Sequence, residues 1–170
     1  MEKIRGWTEF EKIGRSLQKD AAVEWLAIGV PFIVFFLHAL VFWSWIVDDA
    51  GISFAYARSL AQEYGLIAQP GSPPVEGFSN PLWTLLLAPL FAVGLFDPAI
   101  TPKVISTFII LGSFIVVGKT LQKFLHVNRM LVFVVLLLLS INTSFVVWTT
   151  SGLENPLYVL LLSLLLLCST

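Results

Sequence analysis

Polar and apolar positions fall in long blocks along this chain. Residues 1–20 repeat Ile4, Trp7, Phe10, Ile13 and Leu17 every three or four positions, with Lys3, Arg5, Lys12, Arg15 and Lys19 among the rest. That spacing gathers one apolar stripe and predicts a short amphipathic helix lying on a membrane surface. Residues 25–47 are almost continuously apolar and predict a first span of ~34 Å. Trp25 stands at one end, with Trp43 and Trp45 at the other, as interfacial aromatic belts do. The run is too long for a signal-peptide core and no small-residue cleavage site comes after it, so it reads as an uncleaved anchor. Pro31 is placed to kink it. His38 falls near mid-depth, where a histidine bonded to a neighbouring helix is favoured over a functional one.

Residues 48–80 hold no span. Asp48-Asp49 opens the segment, and a helix is expected over 50–64 with Ile52, Ala55, Tyr56, Leu60 and Tyr64 on one side and Gly65 as its stop. Residues 70–74 are dense in proline and glycine, so they read as turns. Residues 81–96 are sixteen mostly apolar residues, interrupted by Pro89, and make ~24 Å of helix, short for a crossing. Residues 99–118 read as a second span starting at Thr101-Pro102, and 130–149 as a third, clear one. Residues 150–156 are a polar break. The last apolar helix begins at Leu157 and reaches ~12–14 residues of membrane depth where ~20 are needed. The chain therefore reads as the N-terminal piece of a longer protein.

Composition narrows the class. Of 170 residues, 57% are hydrophobic and 12% charged, against about 25% charged in a soluble domain. A soluble globular domain, a disordered chain and a nucleic-acid binder are excluded. One cysteine, Cys168, and two histidines leave no disulfide framework and no zinc site of recognisable spacing.

Charge placement then sets topology. If 81–96 crosses the bilayer, six Lys/Arg lie inside and four outside. If it rests on the outer interface, the split is eight to two, the arrangement the positive-inside rule favours. The expected architecture is all-α and polytopic, with about four transmembrane helices and two juxtamembrane helices on the outer face. Residues 1–20 form a cytoplasmic amphipathic segment. Residues 21–170 form a membrane module with a first outer loop at 48–98 and a second at 150–156. Asp48, Asp49 and Glu154 then share one face.

Several residues carry candidate chemistry. A carboxylate at the apolar boundary is partly desolvated, which suits Asp48 or Asp49 to accept a proton; a helix cap is the competing role. The doublet with Glu154 also offers oxygen ligands to Mg²⁺, Mn²⁺ or Ca²⁺, and spacing alone leaves that cation open. Arg58 suits a phosphate or a pairing with Glu63 or an aspartate. Glu76 and Asn80 shape a polar pocket or a turn and cap. Glu154 either joins the site or caps the last helix. Tyr56, Phe78, Trp83 and Trp148 read as interface anchors, with sugar stacking as the lesser alternative.

Asp48-Asp49-Ala50 with Phe54-Ala55-Tyr56-Ala57-Arg58, then Pro74-Val75-Glu76-Gly77-Phe78-Ser79-Asn80-Pro81-Leu82-Trp83, then Thr150-Ser151-Gly152-Leu153-Glu154-Asn155-Pro156-Leu157 occur in this order. Together they resemble the N-terminal part of GT-C membrane glycosyltransferases. The nearest group by motif is the bacterial enzymes similar to mycobacterial terminal arabinofuranosyltransferases. The resemblance spans residues 25–170. It implies two helices along the membrane in the first outer loop, a catalytic aspartate at Asp48 or Asp49, and a second acidic residue at Glu154. The expected substrate-binding residues are Arg58, Glu76, Asn80 and Glu154. The chain departs at Ala55, where close relatives commonly carry a second arginine.

The implied activity is transfer of a sugar, with inversion, from a polyprenyl-phosphate donor to a glycan or lipid acceptor of the cell envelope. It would occur on the non-cytoplasmic face of a bacterial inner membrane, in contact with membrane lipid and without nucleic acid. The alternative is a non-enzymatic membrane protein, such as a transporter fragment or an assembly subunit.

Overall fold

A computed structural model describes the backbone of residues 2–75 and 77–169, and side chains from residue 22 onward within those ranges. Glu76 lies outside the described residues, as do the side chains of the predicted amphipathic segment. The order is α1 (Glu2–Val41), α2 (Ala50–Ala61), α3 (Pro81–Ala92), α4 (Thr101–Leu125), α5 (Arg129–Ile141), α6 (Thr143–Thr149) and α7 (Asn155–Cys168). No strand occurs among the described residues, so the all-α class holds.

Among the described residues two stretches are long and apolar enough to cross a membrane, Ala22–Val41 of α1 and Thr101–Leu125 of α4. A third exists if α5 and α6, bent by 71° at their junction, count as one. Helices α3 and α7, of 12 and 14 residues, reach only ~18 and ~21 Å, against ~30 Å of hydrocarbon.

Packing is organised in three helix pairs: α1 on α5, α4 on α7, and α2 on α3. One core joins Ile28, Phe35 and Ala39 of α1 to Ile110 and Phe114 of α4, Val132 and Leu136 of α5, and Val146 of α6. Phe35 sits at its centre, edge-on to Phe114 and Phe145 at 5.9 and 6.0 Å. A second core joins Ala50, Phe54 and Ala57 of α2 to Trp83, Leu87 and Ala88 of α3, with Leu153 and Leu157 packed against it.

Lysine 103 fixes how the two cores meet. It is fully buried near the start of α4, and its Nζ donates to the carbonyls of Trp43 and Trp45, just past α1. A cation there satisfies carbonyls that a helix end leaves without intrahelical donors. The start of α4 therefore lies at the end of α1. The chain from 42 to 103 leaves and returns to one end of the bundle, carrying α2 and α3 with it.

Several expected boundaries shift. The helix of the first span stops at Val41, not residue 47, because the carbonyls just past it are taken by Lys103. No break separates 1–20 from that span: α1 is continuous, and residues 19–22 contain neither glycine nor proline. The expected clear span at 130–149 is two helices. Asn142, at φ −74° and ψ 107°, leaves the helical region, and its side chain accepts from Phe145 N at 2.9 Å to start α6. Helix α4 runs past 118 to Leu125, because Gly118 is buried in the helix interface and ends nothing. Helix α2 ends at Ala61, before Gly65; Glu63 already has φ 65°.

The buried face of α2 also differs. Ile52 and Tyr64 are exposed, while Ala50, Ser53, Phe54, Tyr56, Ala57 and Ser59 are buried. Ala50, Phe54 and Ala57 pack against α3, with Leu60 partly buried beside them. Trp83 is fully buried and Tyr56 nearly so, so neither is an interface anchor. Trp83 Nε1 donates to Gly152 O at 3.1 Å, and Tyr56 OH to Val75 O at 2.9 Å; both polar tips are satisfied inside the protein. Trp148 remains exposed, edge-on to Trp45 at 5.9 Å. His38 behaves as the bonded histidine: Nδ1 donates to Ser140 O at 3.0 Å on α5.

Candidate functional site

The 150–154 turn is built against the first loop. Val47 N donates to Ser151 O at 3.1 Å. Gly152 has φ +97°, and a Cβ placed on it would stand 3.0 Å from Ala50 Cβ and 3.5 Å from Phe54. Only glycine combines that backbone angle with so close an approach. The turn thus rests on the first residues of α2 and beneath Trp83 of α3.

On this support the Asn80 side chain joins three segments. Its Nδ2 donates to Glu154 Oε2 at 2.7 Å. The Ser53 hydroxyl of α2 donates to Asn80 Oδ1 at 3.1 Å and lies 2.8 Å from Nδ2. Thr84 Oγ1, one turn along α3, donates to Asn80 Oδ1 at 3.3 Å. Asn80 and Ser53 are buried, so each polar atom needs its partner. Asn80 and Glu154 precede α3 and α7, and neither side chain caps its own helix. Their polar atoms are turned to each other instead, which excludes the capping role for Glu154.

The aspartate doublet sits beside this network. Both residues are exposed, and neither carboxylate has a hydrogen-bond partner among the described residues. Asp49 has a helical backbone, φ −58° and ψ −24°, and makes no side-chain cap. A capping side chain reaches back from an extended backbone, so the capping role is absent here too. Among the described residues no three His, Cys, Asp or Glu side chains gather closely enough to share a metal ion.

Arg58 is placed apart from Glu154. It is exposed and lines a cleft of about 300 Å³ with Gly51, Phe54, Ala55, Phe91 and Phe96. It forms no ion pair with Glu63 or an aspartate among the described residues. Asn80 and Glu154 line a different pocket of about 230 Å³, walled by Leu82, Trp83, Leu157 and Leu161. The structure thus joins Asn80 to Glu154, sets the doublet next to their turn, and gives Arg58 its own cleft.

Ser53, Thr84 and Gly152 also belong to the site, and no motif spacing singles them out as its members. Thr84 carries a faint signal, four residues after Asn80 on an otherwise apolar helix. Ser53 carries none. No protein-family model, curated protein or solved structure matches the chain.

Proposed function

We propose that this chain is the membrane module of a glycosyltransferase that uses a polyprenyl-phosphate sugar. The reading rests above all on the Asn80–Glu154 hydrogen bond, which unites two of the three motif segments, with the third tied in through Val47 and Ser151. In this reading the N-terminus is cytoplasmic in a bacterial inner membrane. Four spans are supplied by α1, by α4, by α5 with α6, and by α7. Helices α2 and α3 lie along the outer face; the exposed Leu82, Leu85 and Leu86 of α3 suit contact with lipid, and its length suits no crossing.

Asp48 or Asp49 takes the proton of an acceptor hydroxyl as that oxygen attacks the anomeric carbon. The new C–O bond forms as the bond from that carbon to the phosphate oxygen breaks. The electron pair leaves on the lipid phosphate, and in-line attack inverts the centre. Arg58 faces the phosphate charge, while Glu154, held by Asn80, orients the acceptor glycan or lipid.

The test is transfer from a radiolabelled polyprenyl-phosphate sugar in membranes containing the full chain. Asp48→Asn or Asp49→Asn is expected to lower the rate by about 10²-fold or more. Full activity in both variants removes the base assignment. No transfer by the unaltered protein returns the non-enzymatic reading.

A further inference from the structure

The two pockets beside the α2–α3 pair differ in electrical character. The cleft at Arg58 presents a cation with no ion-pair partner among the described residues. The pocket at Asn80 presents a carboxylate, and no lysine or arginine lines it. Its walls, Leu82, Trp83, Leu157, Tyr158 and Leu161, are hydrocarbon and aromatic ring, and its one charged group is Glu154, beside Asn80. Glu154 Oε2 is occupied by Asn80; its other oxygen has no hydrogen-bond partner among the described residues. That oxygen accepts a hydrogen bond and donates none. A hydroxyl satisfies it, whereas a phosphate or carboxylate head meets like charge there.

We propose that the Asn80–Glu154 pocket binds an uncharged amphiphile, with a hydroxyl head at Glu154 and a hydrocarbon body along Leu82, Trp83, Leu157 and Leu161, and rejects an anionic head. Only the further step, naming this amphiphile as the acceptor, rests on the glycosyl-transfer reading. On that step the acceptor is a lipid whose head is held by one hydroxyl at Glu154 while a second hydroxyl, the one that attacks, meets the aspartate base, and the phosphate of the donor keeps to the Arg58 side of α2.

Trp83 lines the pocket, so its fluorescence reports occupancy. The probes are a brominated long-chain alcohol and an alkyl phosphate of the same brominated chain, titrated into the full chain in detergent. Trp83→Phe identifies the part of the quenching that arises at this indole. The alcohol is expected to bind about tenfold more tightly than the phosphate. Glu154→Gln keeps an acceptor for Asn80 and removes the charge, so the ratio should shrink to about threefold or less. Leu161→Phe, at an exposed wall position, should weaken both probes together. Equal affinities in the unaltered protein overturn the proposal, whatever the variants do. So does a preference that Glu154→Gln leaves intact, or quenching that Trp83→Phe does not reduce. Binding preference without transfer defeats the glycosyltransferase reading alone; transfer without preference defeats this one alone.

Discussion

The Asn80 side-chain amide donates to the Glu154 carboxylate at 2.7 Å across 74 residues of chain. This contact links the residue before α3 to the residue before α7 and brings two loops to one end of the bundle. It is charge-assisted, which strengthens it relative to a neutral pair.

Replacing the donor tests that link. Asn80→Asp sets a second carboxylate against Glu154 and removes the amide hydrogen. We expect a loss of about 2–4 kcal/mol, from an unmet buried pairing and like-charge repulsion. Adding Glu154→Gln restores an amide donor facing a carboxylate and should return at least about 1 kcal/mol. Thermal unfolding in detergent measures both; a double variant no more stable than Asn80→Asp would refute the pairing.

Gly152 is the hinge on which the second turn meets α2. Gly152→Ala forces a Cβ to 3.0 Å from Ala50 Cβ at φ +97°, and should cost about 2 kcal/mol or more. Ala50→Gly in the same chain relieves the contact but not the backbone angle, so it should recover only part of the loss. Complete recovery would show that the φ angle contributes nothing.

Lys103 should matter for stability far more than an ordinary membrane-boundary lysine. Lys103→Met leaves the Trp43 and Trp45 carbonyls without their buried donor, at a cost of about 2–4 kcal/mol. Lys103→Arg keeps the charge but not the compact geometry and should fall between. Limited proteolysis within 42–49 reads the loosening. Equal cleavage of Lys103→Met and the parent would dismiss the anchor.

His38 is expected to be dispensable for chemistry. Its bond to Ser140 O, and those of Ser140 Oγ to Pro31 O and Leu136 O at 2.7 and 2.8 Å, are contacts between and within helices. Such bonds average about 0.6 kcal/mol in a bilayer. His38→Leu and Ser140→Ala should lower stability by about 1 kcal/mol or less and leave transfer activity unchanged. A large loss of transfer with normal stability would give His38 the functional role that its interhelical bond argues against.

Topology is checked by labelling single cysteines in a Cys168→Ser background with a membrane-impermeant maleimide. Cysteines at 58, 97 and 154 should react in intact cells, and one at 123 only after permeabilisation. Labelling of position 154 from the cytoplasmic side alone would place Glu154 a membrane away from the doublet.

Much of the fold is legible along the chain. Long apolar runs specify helices in hydrocarbon, because a span must satisfy its own backbone. Thr101-Pro102 marks the start of α4, and Pro81 that of α3. The breaks are harder to read. Asn142 looks like one polar residue inside an apolar run, yet its side chain starts a new helix and bends the span by 71°. Tyr56 and Trp83 look like boundary aromatics because periodicity reports amphipathic faces; it cannot report that a loop supplies carbonyl partners at Val75 and Gly152.

The candidate site divides in the same way. Composition and run length by themselves determined an all-helical chain with helices long and apolar enough to cross a membrane, and residue type singled out Asp48, Asp49, Asn80 and Glu154 as groups with chemistry to offer. Only the tertiary structure decided that Asn80 and Glu154 touch, that Ser53 and Thr84 complete their network, and that Arg58 keeps a separate cleft. The reason is physical. Apolar periodicity is a local property, fixed within a few turns by the cost of exposing backbone and hydrocarbon to the wrong solvent. A polar contact across 74 residues depends instead on how finished helices stack, and here on two anchors, Lys103 and Gly152, whose roles exist only once their distant partners are in place.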